Sequence, residues 1–270
     1  MSHYAVIGDP VQHSKSPIIH RLFAAQTGQD MSYEAITVEA SSLSKFIREF
    51  FANGGAGLNV TLPHKEAVFA LTENCSERAT LARAVNTLFM DSSGQLSGDN
   101  TDGVGLIRDI QTNHHFAIEG KRILLLGAGG AVRGVIGPLL TERPANICIA
   151  NRTVSKAAQL KLEFAARGAI QTGSFTDFTH QEFDLIINGT SMGLHDQVPA
   201  IDGVMLAANS CCYDIMYKSS DTAFVAWAKQ HGAQLAVDGL GMLVEQAAEA
   251  FAIWRGVRPE TAAVIKQLRN

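Results

Sequence analysis

The chain has 270 residues, 46% of them hydrophobic and 18% charged, with a formal net charge of −4. That length suits about two modest domains that bury roughly 73% of the unfolded surface, and the apolar content excludes general disorder. There is neither the basic footprint of a nucleic-acid binder nor an acidic tail. No apolar run reaches the ~18 residues of a membrane span, and the start, Met1-Ser2-His3-Tyr4, lacks a signal-peptide pattern. Cys75, Cys148, Cys211 and Cys212 show no C-x-x-C spacing and read as reduced packing residues, which predicts a cytoplasmic protein.

Strand and helix patterns alternate from end to end. Ala5-Val6-Ile7 reads as a buried strand, and Pro17 opens a helix to Thr27 with Ser16 as its N-cap. A strand over 33–38 leads to Leu43, Phe46, Ile47, Phe50 and Phe51, the stripe of an amphipathic helix. Gly57 to Val60 forms a third strand, with helix signals from Pro63. Residues 87–90 and 95–97 flank Asp91-Ser92-Ser93-Gly94 as a hairpin. A new series starts near residue 120. Strands are expected at 122–126, 147–150, 185–188, 212–216 and 234–237, with helices over 154–166 and 222–231. Leu243, Ala247, Ala250, Phe251 and Trp254 mark a long helix, and Pro259 opens a last one. Such repeated units with apolar strands argue for parallel sheet covered on both faces.

The strongest local signal is the run from Gly127 to Gly134, between strand and helix. Glycines there let the backbone approach a pyrophosphate, and the next helix offers its N-terminal N–H groups. Val132 departs from the small third residue of that fingerprint, so helix and strand are expected to pack less closely. At the end of the following strand stands Asn151-Arg152-Thr153, with Lys156 beyond, where an NAD site would carry an acid. A 2′-phosphate suits arginine's planar donors, so the pattern predicts NADP. The bland alternative is a solvated arginine opening a helix.

Gly189-Thr190-Ser191-Met192-Gly193 matches the G-x-S-x-G elbow of a hydrolase, and Asp214 and His231 follow in the matching order. An elbow must feed a helix, however, and residues 194–199 read as a loop. A nucleotide-contacting loop at a strand's carboxyl end fits better.

In the first half, Ser14-Lys15-Ser16-Pro17 puts two hydroxyls at a helix mouth. Asn59-Val60-Thr61-Leu62-Pro63-His64-Lys65 places a cation in a helix's first turn, which costs roughly 0.3–1 kcal/mol against the macrodipole. Asp99-Asn100-Thr101-Asp102-Gly103 is a dense polar turn whose Thr101 or Asp102 could serve only as an N-cap. Gln246 lies on the apolar face of its helix, where an amide must find protein or ligand partners.

Together with Ala84-Val85-Asn86-Thr87, Asn188-Gly189-Thr190-Ser191 and the run from Asp238 to Gln246, these segments resemble the shikimate dehydrogenase family over essentially the whole chain. The resemblance implies NADPH-dependent, reversible reduction of 3-dehydroshikimate to shikimate in aromatic amino-acid biosynthesis. It implies an α/β fold of two domains with a cleft between them: a substrate domain of 1–101 plus 239–270, and a doubly wound, Rossmann-type NADP domain of 102–238. Substrate would be held by Ser14, Ser16, Asn59, Thr61, Lys65, Asn86, Asp102, Tyr217 and Gln246, with Lys65 and Asp102 catalytic. NADP would contact Gly127, Ala128, Gly129, Gly130, Ala131, Asn151, Arg152, Thr153, Val154, Ser155, Lys156, Thr190, Ile215, Gly239 and Met242, and also Glu77. Lys156 stands where many relatives carry arginine.

The chemistry agrees with that assignment. Hydride reaching a ketone carbon leaves charge on oxygen, and a lysine ammonium can supply both a proton and a stabilising charge. No metal is expected, because the nine histidines form no ligand spacing and hydride chemistry belongs to the nicotinamide. The expected partner is a small-molecule substrate, with no nucleic acid and no membrane, for a monomer or homodimer. The rivals are an NAD-using quinate/shikimate dehydrogenase, against which Arg152 argues, and a non-catalytic NADP sensor, which would not need both Lys65 and Asp102.

Overall fold

The computed structural model describes residues 1–269; Asn270, the end of the predicted last helix, lies outside them. The chain forms two compact units, Met1–Gly105 together with the chain from Leu243 onward, and Leu106–Met242. The chain crosses from one unit to the other inside helices rather than in loops.

The first unit holds β1 (Ser2–Gly8), α1 (Ser16–Thr27), β2 (Met31–Thr37), α2 (Leu43–Ala52), β3 (Gly55–Val60), α3 (Lys65–Leu71), β4 (Asn74–Cys75), α4 (Glu77–Ala82), β5 (Thr87–Met90), β6 (Leu96–Asp99) and the start of α5 (Asp102–Arg108). The order β2-β1-β3-β5-β6-β4 makes a mixed sheet, in which β5 runs antiparallel to both neighbours. The hairpin expected between residues 87–90 and 95–97 is β5 and β6, and it is what makes this sheet mixed. The Asp91 side chain accepts the Ser93 and Gln95 N–H groups at 2.8 and 3.1 Å, closing a hairpin that reverses the chain.

Alternation along β3 sends Leu58 and Val60 to one core with Ala5, Ile7, Ile47 and Val85. Asn59 takes the opposite face. There Ile19 and Phe23 of α1 pack on Val244, Ala247 and Phe251 of α9 (Leu240–Arg255) and Val264 of α10 (Ala262–Arg269).

The second unit contains β7 (Arg122–Leu126), α6 (Gly130–Thr141), β8 (Asn146–Ala150), α7 (Val154–Glu163), β9 (Ile170–Gly173), β10 (Phe183–Asn188), β11 (Leu206–Asp214), α8 (Ala223–Gln230) and β12 (Leu235–Asp238). Its sheet is parallel throughout, in the order β12-β11-β10-β7-β8-β9. Counted from β7, this is the doubly wound order 3-2-1-4-5-6, read from the far edge. The strand order reverses between β7 and β10, where such folds open a crevice at the strand carboxyl ends.

Several helix starts differ from those the sequence predicts. Ser16 lies inside α1 and does not cap it; Lys15 holds the cap position, and the Ser14 hydroxyl accepts the Ser16 N–H at 3.2 Å. Pro63 precedes α3, because His64 N–H closes a turn on the Thr61 carbonyl at 3.0 Å. Pro259 likewise precedes α10. Glu260 N–H bonds Gln26 Oε1 at 2.7 Å and Thr261 Oγ1 bonds Glu245 Oε1 at 2.5 Å, fastening that lead-in first. No helix among the described residues is long and apolar enough to cross a membrane.

His20 is fully buried on α1, stacked on Tyr33 at 4.1 Å and flanked by Phe23, Phe251 and Trp254. Its ring nitrogens reach hydrogen-bond geometry with no described residue. Burial pushes its pKa down to about 3, opposed more weakly by the Asn59 side chain. The unfolded chain takes up a proton here below about pH 6.5, whereas the folded one does not, so stability falls as pH drops from there toward 3. His20→Phe should flatten that slope by about 1 kcal/mol per pH unit between pH 6.5 and 5. Urea unfolding of both proteins at pH 6.5 and 5 measures it, and identical slopes would mean that the folded ring is protonated.

Candidate active site

In the first unit, β3, α3, the β5 entrance and the turn into α5 bring their polar residues together around Asn86. Its Nδ2 lies 2.8 Å from Asp102 Oδ1, 2.9 Å from Thr101 Oγ1 and 3.3 Å from Gln246 Oε1. Its Oδ1 accepts from Thr101 N–H at 2.9 Å and from Thr87 Oγ1 at 2.9 Å. Lys65, the first residue of α3, donates from Nζ to Asp102 Oδ2 at 2.6 Å, with the two side chains 24% and 16% exposed. At that exposure the pair keeps an open side. An ammonium has two further donors, and each carboxylate oxygen keeps acceptor capacity.

Asn100 Oδ1, rather than the Thr101 or Asp102 side chain, accepts the Asp102 N–H at 3.1 Å where α5 begins. This leaves the Asp102 carboxylate available to Lys65 and Asn86. Gln246 meets protein partners, with Nε2 donating to the Leu243 carbonyl at 2.9 Å and Oε1 facing Asn86 and Thr101.

Asn59 commits both amide protons, to Asn86 O at 3.1 Å and Thr87 Oγ1 at 3.2 Å, and accepts from the Tyr33 hydroxyl at 2.7 Å. Its geometry braces the cluster from beneath. Burial holds the Tyr33 hydroxyl well above its ordinary pKa, offset in part by the Ser16 side chain, so it remains a donor. Thr61 follows β3, its N–H on the Ile7 carbonyl at 2.9 Å. Ser14 and Ser16 adjoin one another at the head of α1.

The second unit builds a different site. Gly127 has φ +106°, and a Cβ there would lie 3.1 Å from the Gly189 carbonyl oxygen, so the turn needs glycine twice over. Around Gly129, at the N-cap of α6, a Cβ would meet nothing within 4 Å. The helix's first N–H groups have no intrahelical partners. Open backbone at the N-terminus of a long helix suits a pyrophosphate.

Val132 does not loosen the packing as expected. A Cβ on Gly189 would sit 2.5 Å from Val132 Cγ2, so Gly189 supplies the room that the fingerprint's small residue usually leaves. At the end of β8, Asn151 Nδ2 bonds the Thr153 carbonyl at 2.8 Å, and Arg152, Thr153, Val154, Ser155 and Lys156 are exposed. The cations are thus presented to solvent beside the glycine turn's neighbouring strand.

Thr190 is fixed by Asn188 Oδ1, which accepts its N–H at 3.2 Å and its hydroxyl at 2.8 Å. Asn188 in turn donates to Asp214 at 3.2 Å, and Asp214 accepts from Thr222 Oγ1, the N-cap of α8, at 2.6 Å. Burial raises the Asp214 pKa, and bonds from Thr222, Met216 and Asn188 oppose it. His231 bonds the Trp227 carbonyl, and Ser191 begins a short 3₁₀ turn. The hydrolase triad therefore has no geometry here.

Ile215, Gly239 and Met242 gather past β11 and β12. A Cβ on Gly239 would fall 2.1 Å from the Ile215 carbonyl oxygen, and Met242 N–H donates to the Tyr213 hydroxyl at 3.2 Å. Tyr217 is half-buried in this unit, and Glu77 is exposed at the head of α4 in the other. Among the described residues no group of three or more His, Cys, Asp and Glu side chains is placed to hold a metal ion.

Sequence patterns do not single out Tyr33, Arg78 with Asp99, or Tyr213 with Asp109. Tyr213 donates to buried Asp109 Oδ2 at 2.6 Å, and a Cβ on Gly241 would strike that carboxylate at 2.0 Å. An acid spaced among apolar helix residues is the one signal available for that pair.

A parallel sheet in this order with a glycine turn at its reversal point defines a dinucleotide-binding domain, here joined in one chain to a unit carrying a lysine–aspartate pair. Family models place the chain more narrowly. Residues 6–88 match the shikimate dehydrogenase substrate binding domain, 110–195 match shikimate/quinate 5-dehydrogenase, and 239–269 match the shikimate 5′-dehydrogenase C-terminal domain. A shikimate dehydrogenase (NADP(+)) of Alkalilimnicola ehrlichii is 53% identical, over 98% of each chain. The crystal structure of an Ael1 enzyme from Pseudomonas putida superposes with TM-score 0.95 at 42% identity, covering 100% of this chain and 99% of that one. A shikimate 5-dehydrogenase from Thermus thermophilus, in complex with NADP(H) and shikimate, gives TM-score 0.87 at 30% identity, over 100% and 99%. The chain belongs to the shikimate dehydrogenase family.

Tyr213→Phe leaves Asp109 and the Met242 N–H each short of a buried partner, and should destabilise the protein by about 1–3 kcal/mol. Denaturant titration measures this, and an unchanged midpoint would show that water or repacking satisfies both groups.

Proposed function

We propose that the chain catalyses NADPH-dependent, reversible reduction of 3-dehydroshikimate to shikimate, with Lys65 as proton donor and Asp102 as its orienting partner. The observation that carries this reading is the 2.6 Å contact from Lys65 Nζ to Asp102 Oδ2, beside Asn86 and Gln246. When bound, the nicotinamide supplies the hydride. As the ketone oxygen gains charge, the Lys65 ammonium stabilises it and then transfers its proton, so ketone, hydride and proton become alcohol. In the reverse direction the Lys65 amine accepts that proton.

Asp102 keeps the ammonium aimed, and with Asn86 it offers a matched acceptor and donor to neighbouring hydroxyls. Gln246 and Thr61 complete the polar wall with Ser14 and Ser16, Tyr217 is assigned to the substrate only by resemblance, and Asn59 contributes mainly by bracing Asn86. Gly127 to Ala131 suit the pyrophosphate, with Arg152 and Lys156 suited to a 2′-phosphate and Asn151, Thr153, Val154 and Ser155 forming the loop between them. Thr190, Ile215, Gly239 and Met242 would flank the nicotinamide end, and Glu77 is assigned to the cofactor only by resemblance. The protein would act in the cytoplasm on a small molecule, as a monomer or homodimer.

NADP⁺-linked oxidation of shikimate, followed at 340 nm alongside quinate and NAD⁺, tests the activity; no reaction with shikimate would refute it. Lys65→Ala should lower turnover at least ~100-fold with substrate binding largely kept, and near-normal turnover would remove Lys65 from its role. Arg152→Ala should weaken NADPH far more than NADH in binding titrations. Equal losses would show that Arg152 does not read the phosphate.

A further inference from the structure

Arg78 lies on α4, and its guanidinium joins β6 to α9, two elements that carry parts of the polar cluster. Nε and Nη2 bond Asp99 Oδ1 and Oδ2 at 2.6 and 2.7 Å, a two-pronged grip on the last residue of β6. Nη1 and Nη2 also reach Glu249 Oε1 at 3.1 and 3.2 Å, on α9. Asp99 in turn fixes the polar turn between β6 and α5. Its Oδ1 accepts the Asn100 N–H at 2.6 Å, its carbonyl accepts the Asn86 N–H at 2.9 Å, and Asn100 Oδ1 then holds the Asp102 N–H. Glu249 lies three residues beyond Gln246, hence on the same helix face.

We propose that Arg78 is a positioning residue for the reaction, setting the separation between the Asp102 carboxylate and the Gln246 amide on either side of Asn86. The inference rests on the proposed function, since it assigns those groups to the substrate. Arg258 provides the comparison. It bonds Glu249 Oε2 at 2.7 Å and Glu245 Oε2 at 2.6 Å, so it belongs to the same ionic network without touching Asp99. If the network served only to hold α9 down, the two arginines would be equivalent.

Arg78→Lys keeps the cation and loses the planar fork. It should raise the shikimate KM about 10-fold and lower kcat several-fold, the scale of a displacement under 1 Å, while the NADP⁺ KM stays within about twofold. Arg258→Met should lower Tm at least as much, with the shikimate KM within about 1.5-fold of wild type. Should Arg78→Lys fail to fold, Glu249→Gln carries the test, with an expected rise of about threefold in shikimate KM. An unchanged shikimate KM in the Arg78 or Glu249 variant, or a rise in Arg258→Met that tracks its Tm loss equally, would overturn the positioning role. Wild-type protein that fails to oxidise shikimate would instead refute the functional reading beneath it.

Discussion

The first unit is organised around one ion pair that is neither buried nor free. A fully exposed lysine and aspartate would gain little from pairing, and a fully buried pair would face a large desolvation cost. Lys65 and Asp102 avoid both limits because Asn86 shares the carboxylate and a sheet supports Asn86 from below. The hairpin between β5 and β6 is what makes this possible. By reversing the chain it sets Asn86, before β5, next to Asp99, at the end of β6, and the Asn86 N–H to Asp99 carbonyl bond closes the arrangement. The antiparallel strand that breaks the parallel pattern is thus the element the site needs most.

The second unit solves a separate problem with backbone rather than side chains. Its sheet directs every carboxyl end to one edge, and the carboxyl termini of β7, β8, β10 and β11 carry the glycine turn, the basic loop, Thr190 and Ile215 respectively. Buried hydrogen bonds lock these loops from behind. Asn188, Asp214 and Thr222 form a chain that ties one strand end to the next and to the start of a helix. Such networks specify geometry only when every member is satisfied, which holds here.

The sequence made the α/β alternation, five of the six strands of the second unit (all but β9), and the cluster of Lys65, Asn86, Asp102 and Gln246 legible, because each rests on local spacing or on a run that resembles a family. What was not legible depended on distant pairs. Arg78 reads as an ordinary solvated arginine until Asp99 and Glu249 stand beside it, and Glu249 is separated from it by most of the chain. Tyr33 looks like a generic core residue, since nothing in its neighbourhood names Asn59 as a partner. Helix signals at Pro63 and Pro259 mislead for a related reason. Proline allows a helix to begin but does not compel it, and a local turn at His64 in one case and long-range bonds from Gln26 and Glu245 in the other decide where winding starts.

Val132 and Gly189 share a single small volume, although they stand 57 positions apart in the numbering. The gap that a nucleotide fingerprint normally writes into its own helix has been relocated to the strand next door. In doing so it has produced, by coincidence, the letters of an esterase signature. Among the described residues Ser191 and His231 are committed elsewhere, so the two loops form one packed object that leaves room for a nucleotide backbone rather than for a hydrolytic triad.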